Sequence, residues 1–305
     1  MSEGHSVEIS PTEIPLVEAV DRIVIAVRDL AEAERTYTRM LGRTPSWRWE
    51  DKGGGTAHVT YRLENAGIEL VAPINTGPWG LHVSRKLETG GEGIMVLVLS
   101  TSDTGRTAEG LAARGLQSIT FPEVEIRGPA GERRISRNVH IPPQLAADLI
   151  ILCNEQLTPA DPLPRAPLRE GVAEEEAISA VDHLVVSTPD AEAVKRLFGH
   201  GLGIRLALDQ SKPEWGVRQL FFRLGGVTLE VVEPLDKTKA PKETFFWGLA
   251  WRVGSVGAVR QRLLRDGADV SELRVGRKKG TEVATIRMPT NNVPLLLVGP
   301  LPEGN

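Results

Sequence analysis

The sequence predicts an α+β fold in which four βαβββ units form two cupped sheets, and two repeated features predict it. Residues 20–27 and 181–188 are short runs of apolar and β-branched residues, each followed by an Asp that can cap a helix. Residues 67–73 and 227–234 form a repeated ending with a Glu between apolar neighbours. Each Glu follows Arg22 or His183 of the first strand by the same 47 residues, which indicates an internal duplication.

The elements of the first two units are predicted in order along the chain. After the first strand, Asp29 starts a predicted helix over residues 30–41, and strands follow around residues 47–49, 58–63 and 68–71. The second unit begins with a strand at residues 93–99, and Asp103 starts a helix that extends to Gly115. Its last strands are predicted at residues 138–141 and 148–153.

The third and fourth units repeat this order. A helix is predicted from Asp190 to about residue 202, followed by strands at residues 218–224 and 227–232. The last unit has a strand at residues 246–251, a helix at residues 256–265, and strands at residues 281–288 and 293–298. We therefore expect a first domain at residues 18–155 and a second at residues 179–300, each with its own core. A proline-rich linker, 156–178, joins them, and tails cover residues 1–17 and 301–305.

Composition limits the classes of partner. With 41% hydrophobic and 25% charged residues the chain is typical of a soluble globular protein, and the net charge of −4 without long Lys/Arg runs argues against nucleic acid or a membrane as partner. No apolar run is long enough to span a membrane and no leader pattern is present, so we expect a cytoplasmic protein. The lone Cys153 is expected to be a buried, inert thiol. No phosphate loop, nucleophile elbow or zinc-spaced Cys/His cluster occurs.

The alternation of side chains along a strand predicts what each cup contains. Residues 23, 25 and 27 should be buried against a helix, which leaves Arg22 on the opposite face. Glu69 and Glu230 lie between apolar neighbours and should project the same way as Arg22 and His183. Each cup is therefore expected to hold one pair of ionisable groups.

The Asp-His-Leu-Val-Val start at residues 182–186, the Leu-Glu-Val-Val-Glu-Pro ending and the four units resemble the vicinal oxygen chelate superfamily, in a tandem two-domain form. This superfamily includes glyoxalase I, methylmalonyl-CoA epimerase, extradiol dioxygenases and bleomycin-resistance proteins. The resemblance covers residues 18–155 and 178–300. Residues 87–94 and 139–142 look like methylmalonyl-CoA epimerase and its relatives, but Met95 and Val96 stand where the epimerase has two His.

The resemblance implies a divalent metal held by the first and last strands of both units in each cup. The positions that match this pattern are Arg22, Glu69, Val96 and Ile151 in the first cup, and His183, Glu230, Gly248 and Leu295 in the second. A guanidinium and two aliphatic side chains cannot ligate a metal, so the first cup lacks such a site. The second retains His183 and Glu230, fewer than the three ligands usual at a catalytic zinc. We expect no cofactor, with these two residues as the candidates for a divalent metal, and the loss of the other ligands argues against an extradiol dioxygenase.

The residues leave several roles open. Arg22 and Glu69 are either a buried ion pair, or an anion clamp beside a proton acceptor whose pKa is raised by burial and lowered by the Arg. His183 with Glu230 is a general base, half of a metal site, or a structural hydrogen bond.

Four tryptophans and one histidine are candidates for substrate contact. Trp47 and Trp49 share one side of a strand, and Trp247 and Trp251 straddle Gly248. They either fill the core or line a cup for a flat apolar ligand. His140, just before Pro142, is either a turn residue or a substrate contact.

These observations lead to two hypotheses, and to a third reading in which one domain is a catalytically empty scaffold for the other. The first is an enzyme that isomerises, epimerises or cleaves a small, partly apolar oxygenated compound by proton transfer, with Arg22, Glu69, His183 and Glu230 as catalytic residues. It predicts that Glu69→Gln or His183→Ala abolishes turnover with a nearly unchanged thermal midpoint. The second is a binding protein of bleomycin-resistance type without catalysis. A small molecule is the expected partner in both, and the units could pair within one chain or across a homodimer.

Overall fold

The computed structural model describes residues 14–128, 131–158 and 164–302. The predicted tails and the predicted linker lie partly outside the described residues. No helix among the described residues is long and apolar enough to cross a membrane.

The first half contains, in chain order, β1 (Ala19–Ala26), α1 (Leu30–Leu41), β2 (Trp47–Asp51), β3 (Thr56–Arg62), β4 (Gly67–Pro73), α2 (Pro78–Thr89), β5 (Gly93–Ser100), α3 (Thr104–Ala113), β6 (Ile119–Thr120), β7 (Val124–Arg127), β8 (Arg133–Ile141) and β9 (Ile150–Gln156). The second half contains β10 (Ala180–Ser187), α4 (Ala191–Lys195), β11 (Arg205–Lys212), β12 (Val217–Leu224), β13 (Val227–Pro234), β14 (Phe245–Arg252), α5 (Val256–Arg265), β15 (Arg274–Val275), β16 (Thr281–Ile286) and β17 (Leu295–Pro300). Helix α4 continues as a π-helix over Arg196–Gly201, and short 3-10 helices lie at Glu174–Glu176, Pro213–Trp215 and Lys237–Lys239.

The strand-to-helix joins form as the repeated Asp predicts. Asp29, Asp103 and Asp190 each accept a hydrogen bond from a backbone N–H in the first turn of α1, α3 and α4. Helix α2 and strand β11 were not predicted. Helix α2 starts at Pro78, and Pro is favoured at the first position of a helix. Strand β11 is a largely exposed edge strand whose second half is polar.

Two curled sheets confirm the predicted α+β architecture. The first has the strand order β2-β3-β4-β1-β5-β9-β8-β6 with β7 beside β8, and the second has the order β11-β12-β13-β10-β14-β17-β16-β15. In each sheet the first strands of two units pair antiparallel at the centre, β1 with β5 and β10 with β14. Each sheet is therefore completed within one chain, and we call the concave faces the first cup and the second cup.

The hydrophobic core differs from the expectation of two separate cores. One continuous cluster on the helix side includes Ile23 and Ile25 of β1 together with Leu184 and Val186 of β10. Hydrogen bonds also join the two halves: Arg262 of α5 donates from Nη2 to the carbonyl oxygen of Met40 in α1 at 2.8 Å. A smaller cluster fills part of the first cup, where α2 covers the sheet.

The connecting residues 164–178 contact both halves, although most of their side chains are exposed. Ala166 and Ala177 are each 1% exposed. Arg43, itself buried, donates to the carbonyl oxygens of Ala166 and Ile178 at 3.1 and 2.8 Å. These bonds satisfy backbone acceptors that would otherwise be buried without a partner.

Candidate functional site

Three side chains from neighbouring strands meet in the first cup. Glu69 of β4 places Oε2 2.7 Å from Nε of Arg22 on β1, and Oε1 2.9 Å from Nδ1 of His58 on β3. The contact with Arg22 is an ion pair, since its Nε is not aligned for a hydrogen bond. The pairing of Arg22 with Glu69 agrees with the alternation of the strands, which aims both side chains into the cup.

The neighbouring charges determine the protonation states of Glu69 and Arg22. Burial alone would raise the pKa of Glu69, but the charge of Arg22 and the hydrogen bond with His58 outweigh burial and lower this pKa to about 2. Burial would lower the pKa of Arg22, but the charges of Glu69 and Asp21 raise it. Glu69 is therefore a carboxylate at neutral pH and, by itself, a weak base.

His58 is the site residue that the sequence analysis missed. Its Nε2 lies 2.8 Å from Oγ1 of Thr56, and its ring stacks on Trp49 with centroids 3.5 Å apart and planes within 4°. Thr60 lies directly opposite Glu69 in the hairpin, so His58, two residues away, shares its face. The register of that hairpin could therefore have identified His58.

A half-open cavity of about 140 Å³ borders this group. Besides Arg22, Glu69, His58 and Thr56, its lining includes Val24, Trp49, Val71, Trp79, Val83, Met95, Val96, Val98, Ser136, Asn138 and Leu152. Trp79 and Val83 belong to α2, so this helix forms one wall of the cavity. From β9 the cavity receives Leu152, whereas Ile151 lies in the core, which corrects the expected position of Ile151 in the cup.

A wider groove of about 490 Å³ continues from the cavity past Arg22, Trp49 and Glu69. Trp47 lines this groove; it is 6% exposed and the guanidinium of Arg134 lies 5.9 Å from the centroid of its ring. Both tryptophans of β2 thus border the same continuous space. They could contact a ligand there.

His140 lies apart from the charged group. It is half-buried and stacks on Phe121, with ring centroids 6.0 Å apart. Burial, aided by the charge of His82, lowers the pKa of His140. Among the described residues its Nε2 has no hydrogen-bond partner. A neutral imidazole therefore lies on β8 outside the lining of the cavity.

The second cup repeats the arrangement with different residues. His183, Gln219 and Glu230 stand 161 residues after Arg22, His58 and Glu69. Nε2 of His183 lies 3.4 Å from Oε2 of Glu230, and Gln219 donates from Nε2 to Oε1 of Glu230 at 2.7 Å. Nδ1 of His183 lies 2.9 Å from Oδ1 of Asp182. In both cups the Glu carboxylate contacts one residue of the first strand, β1 or β10. It also contacts one residue of the strand that precedes its own, β3 or β12.

The structure separates the two tryptophans of β14. Trp251 is fully buried in the core, opposite Val181, and therefore cannot line the cup. Trp247 is 50% exposed and is the extra residue of a β-bulge opposite Val185. The bulge breaks the alternation, so residues on its two sides do not share a face. Leu295 also lies in the core, and Leu296 pairs with Ala250 beside His183.

Neither cup offers the donors that a metal of the expected type needs. In the first cup the carboxylate of Glu69 is already paired with the guanidinium of Arg22. In the second cup both ring nitrogens of His183 already face carboxylates. Gly248 and Leu296, at the other two positions, have no side-chain donor atoms. No group of three His, Cys, Asp or Glu side chains suited to a metal occurs within the described ranges. The donor set of each cup therefore does not fit such a metal.

Comparison with known proteins agrees with this fold. A family model described as "Glyoxalase-like domain" matches residues 20–167, and one described as "Glyoxalase/Bleomycin resistance protein/Dioxygenase superfamily" matches residues 182–285. No curated protein sequence matches the chain.

Several solved structures share the whole fold. A triple mutant of 4-hydroxymandelate synthase from Streptomyces coelicolor has a TM-score of 0.69 and 15% identity, over 94% of this chain and 93% of that one. A Mn(II)-bound glyoxalase from Novosphingobium aromaticivorans has a TM-score of 0.60 and 13% identity, over 94% and 83%. A hypothetical protein from Staphylococcus aureus has a TM-score of 0.62 and 9% identity, over 92% and 99%. With the fold shared along the chain and a family model matching each half, the chain belongs to the glyoxalase/bleomycin resistance/dioxygenase superfamily and carries two of its domains in tandem.

Proposed function

We propose that the first cup is the active site of a cytoplasmic enzyme that isomerises, epimerises or cleaves a small, partly apolar oxygenated compound by proton transfer. The observation that carries this proposal is the contact of Arg22, Glu69 and His58 at the wall of a largely apolar cavity. A cation and an oriented imidazole beside apolar space are the groups that proton abstraction next to a carbonyl requires.

The imidazole of His58 is the proposed base. The carboxylate of Glu69 accepts from Nδ1–H of His58, which leaves the lone pair on Nε2. The hydroxyl of Thr56 donates to this lone pair in the absence of a ligand. A substrate that displaces the hydroxyl would present its C–H to Nε2.

Arg22 is the proposed clamp for the developing negative charge. When Nε2 of His58 takes the proton, the electron pair of the C–H bond becomes the C=C bond of an enolate, and the π pair of the C=O bond moves to the oxygen. The guanidinium, whose pKa is raised, stays charged and stabilises that oxygen. Return of the proton to a neighbouring atom completes an isomerisation. No step uses a metal, because the donor set does not fit one.

Exchange of substrate protons with solvent tests this proposal without knowledge of the product. The full chain is incubated in D2O with a panel of small α-branched ketones and carboxylates that carry an acidic C–H, and loss of the C–H signal is followed by NMR. We expect exchange with at least one compound, and its loss in His58→Gln. A Gln fits this position, since Gln219 holds the equivalent carboxylate in the second cup.

The matched control is Gln219→His, which places an imidazole at the equivalent position of the second cup and leaves the first unchanged. Exchange in this variant should equal that of the unmodified chain. If His58→Gln exchanges at the same rate as the unmodified chain, His58 is not the base.

A second candidate function is ligand binding without catalysis. The weak basicity of Glu69 and the aromatic walls of Trp49 and Trp79 favour it, because they supply contact area without a strong proton acceptor. It predicts saturable quenching of tryptophan fluorescence by a ligand that is recovered chemically intact and undeuterated. Deuterium in the recovered compound would contradict it.

A further inference from the structure

We propose that the substrate of the first cup carries a carboxylate tail, which lies in the adjoining groove beside the guanidinium of Arg134. This inference rests on the proposed function, because the tail belongs to the same molecule whose C–H meets His58. The substrates are then oxo acids rather than neutral ketones, and Arg134 is the residue that selects them.

The lining of the first cup changes from apolar to polar along β9 and β8. On β9, Leu152 lines the cavity, whereas Asn154 and Gln156, farther along the strand, line the groove. On β8, Arg134 and Ser136 line the groove, and the hydroxyl of Ser136 makes no hydrogen bond within the described residues. The cavity therefore suits the apolar part of a ligand, and the groove suits a polar end.

Arg134 is a half-buried cation without a carboxylate partner. Its Nη2 donates to Oε1 of Gln156 at 2.8 Å, and no ion pair with Arg134 occurs in the part of the chain that the structure describes. Asp21 and Glu69, whose charges act on this guanidinium, are each paired with Arg22. A carboxylate can accept two parallel hydrogen bonds from one guanidinium, so a ligand carboxylate would supply the missing partner.

The charge of Arg134 persists without that partner. Burial lowers the pKa of Arg134, the charge of Asp21 opposes this effect, and the charge of Arg22 adds to it. A guanidinium nevertheless stays protonated in proteins. One unpaired guanidinium matches the single charge of a carboxylate, whereas a phosphate monoester carries about −1.5 to −2 near pH 7. The groove therefore fits a carboxylate better than a phosphate.

The groove leads from the proposed active site to the junction of the two halves. Arg22, Trp49 and Glu69 line both the cavity and the groove, so the two spaces are continuous. The lining of the groove reaches Gly225, in the turn between β12 and β13 of the second half. A single ligand can thus place its C–H at His58 in the cavity and its carboxylate in the groove.

Three pairs of probes test the proposal on the full chain. They are 4-oxopentanoate, 5-oxohexanoate and 6-oxoheptanoate, each with its methyl ester, so that chain length and charge are varied separately. Binding is measured by titration calorimetry, and exchange of the C–H beside the ketone is followed by NMR in D2O. We expect at least one acid to bind at least about tenfold more tightly than its ester, since only the acid can pair with Arg134.

Substitutions locate the site. Arg134→Met keeps the apolar stem of the side chain and removes its charge, so acid and ester should then bind within about twofold of each other. Arg133→Met is the matched control on the same strand: its side chain is 51% exposed, pairs with Glu125 and lies outside the groove lining. This control should keep the preference for the acid. His58→Gln should keep the preference as well, but lose the exchange.

Three binding results would overturn the proposal. They are equal affinity for acid and ester in every pair, no saturable binding of any acid up to about 10 mM, or loss of the preference in both Arg133→Met and Arg134→Met.

Exchange separates failure of this proposal from failure of the proposed function. A preference for the acid that Arg134→Met abolishes, without exchange of any probe, would support the carboxylate site and contradict the role of His58 as base. Equal exchange of acid and ester at low concentration, with His58→Gln inactive, would overturn the carboxylate site and leave the proposed function intact.

Discussion

Nδ1 of His58 lies 2.9 Å from Oε1 of Glu69, and this contact determines what the first cup can do. The other oxygen of Glu69 faces Arg22 at 2.7 Å. The carboxylate is thus shared between a permanent cation and an imidazole. The same contact explains why Glu69 is buried and charged, and why His58 is oriented with Nε2 toward Thr56.

Substitution of Glu69 tests the structural role of this contact. Glu69→Gln removes the buried counter-charge of Arg22 and leaves only the partly exposed Asp21 beside the guanidinium, and loss of one partner of a buried pair costs up to about 3 kcal/mol. We expect a lower thermal midpoint. This revises the prediction from sequence that the midpoint would be nearly unchanged.

Glu230→Gln is the matched control for that substitution. The partners of Glu230 are Gln219 and His183, which can be uncharged, so the free energy of unfolding should fall less. Calorimetric unfolding of both variants measures the difference. Equal midpoints for the two variants would show that the ion pair with Arg22 contributes little.

The lowered pKa of Glu69 makes stability depend on pH in the acid range. Its folded pKa of about 2 lies below the ordinary value of 4.5, so the stabilisation is fully present above about pH 4.5 and is lost as pH falls toward 2. The loss is on the order of 3 kcal/mol. Urea unfolding between pH 5 and 2.5 should show this fall, and the fall should be shallower in Glu69→Gln. Parallel profiles would argue against the lowered pKa.

The thiol of Cys153 should be unreactive in the folded protein. Cys153 is fully buried in the core, and burial raises its pKa to about 12, so almost no thiolate exists at pH 8. A disulfide reagent such as dithionitrobenzoate should release one equivalent of product only after denaturant is added. Rapid reaction of the native protein would show that β9 opens on the timescale of the assay.

The repeat made the fold predictable, because duplicated signals corroborate each other. The Asp caps and the shared spacing from Arg22 to Glu69 and from His183 to Glu230 placed four strands and both cups correctly. Strand alternation was sufficient there because β1 pairs with β4, and β10 with β13, without a register shift.

The predictions failed where backbone geometry departs from alternation or where distant parts of the chain meet. Trp251 was a candidate for the cup although alternation from Gly248 places it on the core side with Leu249, whereas the bulge that exposes Trp247 cannot be recognised from composition. His58 was left out because its role depends on hairpin register. The core cluster shared by the halves was not expected because the residues that join them, such as Arg262 and Met40, lie more than 200 residues apart in sequence.

The junction of the two halves depends on Arg262. This side chain is 2% exposed and donates to the carbonyl oxygens of Met40 and Glu176 at 2.8 and 3.1 Å. Arg262→Met leaves these acceptors buried without a partner, and we expect a loss of about 3 kcal/mol in the free energy of unfolding, measured in urea. Arg265→Met is the matched control on the same helix: its side chain is 59% exposed and pairs with Glu176, so its loss should cost less than about 1 kcal/mol. A similar loss in both variants would mean that the charge of α5, and not the bonds across the junction, stabilises the protein.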